Sequence, residues 1–576
     1  MSRAGRIAAV LAVCAVVLLL PAAASAHAYL IKTFPAASVT LNAPPPDVAL
    51  TFDEAVEPRF AIISVTDPSA HQETSGTVHR SASDPDTLIV PLHKVREGWY
   101  LVYWRAISVD GHPVQGAFTF AVGPNPGPAP QFKIPSISAT ATSTPLLLAR
   151  WAMFLTTMTA IGLFVLRAVI ARPLVRRVDG TSLRALTVAF AAAALLALVA
   201  IPAYLEEATA IDSLRSFFSF GALVPLWRTT AFGRGYVDLE ICFALFALSA
   251  TIALWADRPE QERRSTAALL ALAGALAAAA AVLVLPGASG HAGQTAPRGV
   301  SLLLDWLHLV SGSLWLGGLL GLLVLYRSLP DTRRVAGLAV AVARFSNVAF
   351  VSVLLLLGSG IGATVLHMPV LAALWQTSYG KVILIKAGIL AATLPLAATN
   401  LLRNKPSLLA ASGQAALGER PARLLRGLVG GEAALIVGAV FAAALLSSLA
   451  PPPPAFAEEG SALARVGPGS VAATINQAGY TLQLLVTPNH AAAPNTFALK
   501  LSRHGQPVRH ANVTVTFAML DMQMPNQEYQ LAETKPGIYT RAAPALVMVG
   551  HWGLDYTITP QGGKPFTALI VDHATG

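Results

Sequence analysis

Residues 302–326, LLLDWLHLVSGSLWLGGLLGLLVLY, are apolar except for a few serines and the pair Asp305 and His308. As a helix this run rises roughly 37 Å, more than the ~30 Å hydrocarbon core of a bilayer. Comparable runs occur near 146–166, 185–204, 236–255, 266–286, 345–366, 381–402 and 429–449. Eight spans are expected, and the composition agrees: of 576 residues 54% are hydrophobic and 12% charged, with mean hydropathy +0.58. Ser216 to Trp227 is apolar too, but about 12 residues rise only ~18 Å, so this stretch is read as interfacial.

The formal net charge of +10 does not point to nucleic acid, because much of it sits in short loops between apolar runs. With eight spans, alternate loops collect Arg167, Arg172, Arg176, Arg177 and Arg184; Arg258, Arg263 and Arg264; Arg327, Arg333 and Arg334; and Arg403, Lys405, Arg420, Arg423 and Arg426. Those loops are expected on the cytoplasmic side. The N-terminal domain, the C-terminal domain and the loops holding Glu206, Glu207, His291 and His367 are then expected outside.

Ahead of the spans, Arg3 and Arg6, an apolar stretch from Ile7 to Leu20, Pro21 and Ala24-Ser25-Ala26 read as a signal peptide over residues 1–26. Cleavage after Ala26 makes His27 the first residue, with its α-amine beside its imidazole. Residues 27–122 then change to short alternating runs such as Val48-Ala49-Leu50-Thr51-Phe52 and Trp99-Tyr100-Leu101-Val102-Tyr103-Trp104, separated by Pro, Asp and Gly. This pattern predicts an all-β, Ig-like sandwich or barrel. Asp110 and His112 stand two apart in VDGHPVQG and point to one side of an extended chain. Amine, two imidazoles and a carboxylate suit tetragonal Cu(II) better than Ca²⁺ or Mg²⁺, which take more oxygens. Taken alone, Asp-Gly-His also reads as ordinary turn chemistry. Cys14 and Cys242 are the two cysteines, and they build neither a disulfide framework nor a thiolate cluster in the mature chain.

HAYLIKTFPA, LTFDEAVEPRF and WRAISVDGHPVQGAFTFAV resemble the CopC copper-binding proteins over nearly the whole of residues 27–122. That resemblance implies a Cu(II) site of His27, Asp110 and His112. Some CopC proteins also carry a Met-rich loop for Cu(I); this chain has no methionine between Met1 and Met153, so no Cu(I) site is expected in this domain. His71, His79 and His93 are read as solvated surface groups.

After a linker over 123–144, the membrane domain is placed at 145–450. Ionisable groups within spans cost about 2.5–3.5 kcal/mol each on insertion scales, so Asp305 and His308, three apart on one helical face, ask for an explanation. With His291, His367 and Met368, and with Met153 and Met158 of the first span, they are read as a His/Met/carboxylate cup near the outer leaflet, a ligand mixture that accommodates copper in either oxidation state. Hydrogen bonding between helices and simple packing are the competing readings. SGHAGQ, DWLHLVSGSLWLGGL, RFSNVAF and TSYGKVILIKAG are similar to CopD, the membrane partner of CopC, over approximately 145–450.

A second linker over 451–469 precedes strand-like runs, among them Leu482-Gln483-Leu484-Leu485-Val486 and Asn512-Val513-Thr514-Val515-Thr516-Phe517, which predict an all-β sandwich over 470–576. Met519, Met522 and Met524, with His551 further on, are candidate soft ligands for Cu(I), or equally apolar packing. Met524-Pro525 and Gly550-His551-Trp552 resemble YtkA-like domains.

The resulting expectation is a multidomain protein of the cytoplasmic membrane, not an enzyme, that binds copper outside the bilayer and moves it across or delivers it to the membrane. Its partners would be copper ions, the lipid bilayer, and copper chaperones or cuproproteins. Sequestration or sensing without transport is the alternative. No phosphate-binding Gly-Lys-Ser/Thr loop, no Asp-Lys-Thr-Gly segment and no paired cysteines suggest an ATP-driven pump. A haem oxidoreductase needs facing pairs of intramembrane histidines, and only His308 lies deep in a run.

Overall fold

The computed structural model describes residues 30–575 apart from 38, 53–55, 57, 108–112, 128–129, 131–142, 213–230, 294, 414–419, 450, 453–461, 521–525 and 548. The segment read as interfacial, Ser216 to Trp227, lies outside the described residues.

The N-terminal domain is a sandwich of two four-stranded sheets. Its strands are β1 (Leu30–Phe34), β2 (Thr40–Leu41), β3 (Asp47–Phe52), β4 (Ile62–Thr66), β5 (His79–Arg80), β6 (Thr87–Pro91), β7 (Gly98–Ile107) and β8 (Pro113–Val122), ordered β1-β3-β6-β5 and β2-β8-β7-β4. Period-two alternation sends Val48, Leu50 and Phe52 of β3 inward to meet Val65, Val102 and Phe120. Phe52 stands edge-on to Trp104 with ring centroids 5.4 Å apart. Trp104 faces Gly116 across the β7–β8 ladder, where a Cβ on residue 116 would come within 2.8 Å of the indole, so glycine makes room for the ring.

Among the described residues eight helices are long and apolar enough to cross a membrane. They are α1 (Thr144–Val165), α2 (Arg184–Asp212), α3 (Ala231–Ala256), α4 (Thr266–Ala288), α5 (Arg298–Ser328), α6 (Asp331–His367), α7 (Ser378–Thr399) and α8 (Arg420–Leu446). Several outrun their apolar stretches. α6 begins at Asp331, well before the run that starts near 345, because Arg333, Arg334 and Arg344 continue the helix into the polar layer, which hydropathy does not register. A π turn at Asn400–Asn404 carries α7 on into a short helix, Lys405–Gly413.

α5 is the central helix and packs against α1, α2, α4, α6 and α8. Its small residues permit this. A Cβ on Gly162 of α1 would strike the Ser313 carbonyl oxygen and come within 2.7 Å of the Gly317 Cα, so the two backbones cross in direct contact. Gly318 likewise takes the Phe345 ring of α6 and Gly321 the Leu166 side chain. In lipid, where apolar burial alone does not drive helices together, such close approach supplies the dispersion contacts that do.

At the arginine-rich end, Asp257, just past α3, is 5% exposed and gathers three cations. Arg172 Nε donates to Oδ1 at 2.8 Å, Arg264 Nε to Oδ1 at 3.2 Å and Arg167 Nη1 to Oδ2 at 3.2 Å. Burial by itself would raise the Asp257 carboxyl; the Arg172 hydrogen bond and the Arg264 charge outweigh it and hold the group below its ordinary range. The surplus positive charge is met by carbonyls: Arg172 also donates to Arg258, Gln261 and Glu262, and Arg264 to Ala168.

The C-terminal domain contains β9 (Ala464–Val466), β10 (Val471–Gln477), β11 (Tyr480–Thr487), β12 (Asn495–Arg503), β13 (Gln506–Pro507), β14 (Asn512–Met519), β15 (Gln527–Lys535), β16 (Ile538–Ala543), β17 (Gly550–Thr559) and β18 (Phe566–Ala574). They form one continuous sheet, β10-β11-β12-β16-β15-β14-β17-β18-β9, with β13 beside β12, rather than two separate sheets. Its end strands β10 and β9 come together, which makes it barrel-like. β15 pairs with both β14 and β16, and a register shift between Glu533 and Lys535 lets the sheet bend there.

The three parts touch. Phe60 of the first domain is buried in the membrane-domain core. Thr119 Oγ1 donates to the Ala492 carbonyl at 2.8 Å, with Leu101, Tyr103 and Ala117 packed around Ala492.

Candidate functional site

In the first domain, β7 and β8 pair from Gly98 with Val122 up to Ile107 with Pro113. Asp110 and His112 belong to the five residues joining these strands; they and His27 lie outside the described residues. His71, His79 and His93 are exposed, with His71 Nδ1 3.4 Å from Asp67 and His79 Nδ1 3.2 Å from the Thr77 carbonyl.

The membrane domain brings together a cluster that sequence reasoning found only in half. Asp305 and His308 lie about 10 and 15 Å along α5 from its start. The Asp305 carboxylate packs onto Gly287 near the end of α4, where a larger residue would push it aside. His308 Nδ1 is 3.2 Å from Ser359 Oγ of α6, and its ring lies over Gly360. From α7, Lys386 acts electrostatically on both Asp305 and His308, and Tyr379 lies within reach of Asp305. Thus α4, α5, α6 and α7 surround one carboxylate, one imidazole and one ammonium, at the end of the bundle opposite the arginine-rich loops. Met158 of α1 reaches this neighbourhood, its Cε facing Gly312 one turn beyond His308, whereas Met153 is buried in the bundle core.

Lys386 was not singled out in the sequence because it lies within an apolar run that spans without it. Its spacing carried a signal: Tyr379, Lys386, Thr393 and Asn400 recur every seven residues.

His367 closes α6. Its Nδ1–H donates to the Ala363 carbonyl at 2.7 Å, so Nε2 accepts from Thr295 Oγ1 at 3.1 Å. Both ring nitrogens are engaged locally, and the structure does not bring them into the Asp305 cluster. Met368 follows as the residue capping the helix. His291 opens a short 3₁₀ turn, His291–Gly293, between α4 and α5.

In the C-terminal domain the proposed ligands part company. Met519 pairs with Trp552 across β14 and β17, and both are in the core. His551, the next residue along, faces the other way by strand alternation and is exposed, so Met519 and His551 lie on opposite faces of the sheet. His551 instead stacks on His573 of β18, ring centroids 4.7 Å apart and 16° from parallel. Met522 and Met524 lie outside the described residues. Among the described residues no group of three or more His, Cys, Asp or Glu is arranged to hold a metal ion.

Beneath this pair, Asp572 is fully buried and its Oδ1 accepts from Asn489 Nδ2 at 2.9 Å. Burial pushes its carboxyl up to about 6, against the opposing Asn489 hydrogen bond. Asp572 Oδ2 and Asn489 Oδ1 are buried acceptors without a hydrogen-bond partner among the described residues. A raised carboxyl pKa means that the folded state holds the proton more tightly than the unfolded one. Stability is therefore greatest below the unfolded value near 4 and falls as pH rises towards 6. Asp572→Asn should remove this loss, stabilising the domain above pH 6 by about 1–3 kcal/mol. Hydrogen exchange of the β18 amides in the full chain reads it; unchanged protection at pH 7 contradicts it.

A multi-pass membrane protein with eight candidate spans, flanked by β-domains at both ends, is the class defined by these features. Residues 30–123 match the CopC domain, residues 339–446 copper resistance protein D (CopD), and residues 474–557 the YtkA-like family. The chain is 29% identical over 390 residues to the copper transport protein CutJ of Bacillus subtilis (strain 168), covering 66% of this chain and 69% of CutJ. It is 38% identical over 98 residues to protein YobA of Escherichia coli (strain K12), covering 17% of this chain and 79% of YobA. With copper resistance protein C of Pseudomonas syringae pv. tomato the identity is 32% over 111 residues, 18% of this chain and 87% of that protein. The chain belongs to the CopC/CopD copper transport and resistance family, with a CopC, a CopD and a YtkA-like domain in one polypeptide.

Proposed function

We propose that the chain captures Cu(II) outside the cytoplasmic membrane at His27, Asp110 and His112, and passes copper through the membrane domain for import or supply to cuproproteins. The positive-inside distribution supports an orientation with both β-domains and the Asp305 end of the bundle outside. The observation that carries the transport reading is the Asp305–His308 pair, held inside the bundle by α4, α6 and α7 in a CopD-bearing chain. An intramembrane carboxylate and imidazole are retained against their insertion cost where they serve an ion path. Asp305 supplies an oxygen donor and His308 the ring nitrogen that Ser359 does not engage, with the Met158 thioether nearby for Cu(I). Lys386 and a copper cation compete for the same carboxylate, so loading requires the ammonium to move aside.

Cellular copper separates transport from sequestration. Cells carrying the chain should accumulate more cytoplasmic copper than cells lacking it, and His308→Ala, at equal protein level, should abolish the difference. Copper raised only outside the membrane, or a fully active His308→Ala, overturns the transport reading.

A further inference from the structure

A line of polar side chains runs along one side of α7, with Tyr379 and Thr393 buried and Lys386 and Asn400 half-buried. Tyr379, Lys386, Thr393 and Asn400 recur every seven residues, two helical turns, and from Tyr379 to Asn400 the helix rises roughly 31 Å, the thickness of the hydrocarbon core. Asn404 extends the line by one more turn and is 1% exposed. Much of the rest of α7 is exposed, while Val382, Leu390 and Ala397 share the inward side with this stripe.

At its arginine-rich end the stripe meets Glu432 of α8, which is 3% exposed. Asn400 Nδ2 donates to Glu432 Oε1, the Trp315 indole of α5 donates to the same carboxyl group, and Asn404 Nδ2 donates to Asn400 Oδ1 at 3.3 Å. The π turn at Asn400–Asn404 sets both amides on this site, a device found repeatedly where helices bend around function. α5 continues the line towards the Asp305 cluster: His308, Ser311 and Trp315 share one face. Ser311 Oγ and Asn404 Oδ1 are buried with no hydrogen-bond partner among the described residues, the condition in which intramembrane polar groups take up water or an ion.

Charged groups on the elements packed around α8 include Asp305 of α5, Lys386 of α7, Arg403 of the π turn, Arg150 of α1, Arg334 of α6 and Arg426 of α8 itself. Arg334 and Arg426 lie over the Tyr326 ring, and Arg150 bonds Ser448. Among the described residues none forms an ion pair with Glu432, whose contacts are the uncharged Asn400 and Trp315. A carboxyl group so placed binds a proton without a competing fixed cation, and its oxygen and amide surroundings are poor ligands for soft Cu(I).

We propose that Glu432 is a proton-carrying station on a polar path along α7, through which copper crossing is linked to proton movement. This rests on the transport reading above. It supplies a driving force to a chain in which no nucleotide-binding or phosphorylation motif was found.

The test uses the purified full chain in vesicles holding a copper indicator and a pH dye, with copper ion added outside under pH gradients of either sign. Wild-type copper flux should change at least tenfold between the two gradients, and copper entry should shift the internal pH. Glu432→Gln should lose the gradient response and the pH shift, and Glu432→Asp should restore part of both. A Glu432→Gln chain that keeps the response overturns the proposal. Should that variant fail to insert, the wild type alone decides, since copper flux indifferent to the sign of the gradient overturns it equally. Wild-type vesicles that move no copper at all refute the transport reading itself, a separate result.

Discussion

Adding one residue ahead of His27 should weaken Cu(II) binding at least about 100-fold, the upper end of what losing even an outer-sphere partner costs a metal site. In the proposed site the extra residue converts the α-amine of His27 into an amide and removes one arm of the chelate, leaving the His27 imidazole, Asp110 and His112. His112→Ala should cost as much, and the two changes together should leave only weak binding. Because the free amine has an ordinary pKa near 7.7–8, Cu(II) must displace a proton there. Affinity should therefore rise with pH through that range in the native N-terminus and lose this dependence in the extended one. Competition titration of the full chain checks both. Equal affinities for the two N-termini remove the amine from the site.

Asp257→Ala should destabilise the membrane domain by about 3–5 kcal/mol, the cost of stripping a buried ion pair of one partner. Three guanidinium groups converge on this carboxylate from the segments after α1 and α3. Without it they face one another in a site that excludes water. Replacing a single arginine, as in Arg264→Met, should cost less, because the carboxylate keeps two donors. Denaturant unfolding in mixed micelles measures the difference. Equal stabilities of wild type and Asp257→Ala contradict the clasp.

The sequence announced the eight spans because lipid demands long apolar helices, and it announced Asp305 and His308 because charge inside such a run is costly. It was silent on their surroundings. Gly287, Ser359 and Lys386 come from three other helices, and only packing brings them to α5. Glu432 and Lys386 each sit within an apolar run long enough to span, and only the packing of α8 against α5 and α7 places them near the α5 cluster. The histidine partner of His551 was hidden for a related reason: His573 is its cross-strand neighbour, set by the β17–β18 register and not by any local motif. Strand alternation also decides that Met519 packs inward while His551 points out, which the mere proximity of methionines in the chain does not foretell.

Copper entry into vesicles containing the purified chain reads directly whether copper passes through the bundle by way of the Asp305–His308 cluster. Wild-type vesicles should fill with copper, while Asp305→Asn and His308→Ala vesicles, loaded with equal amounts of folded protein, should fill at least tenfold more slowly. Entry at the wild-type rate in both variants would contradict this route.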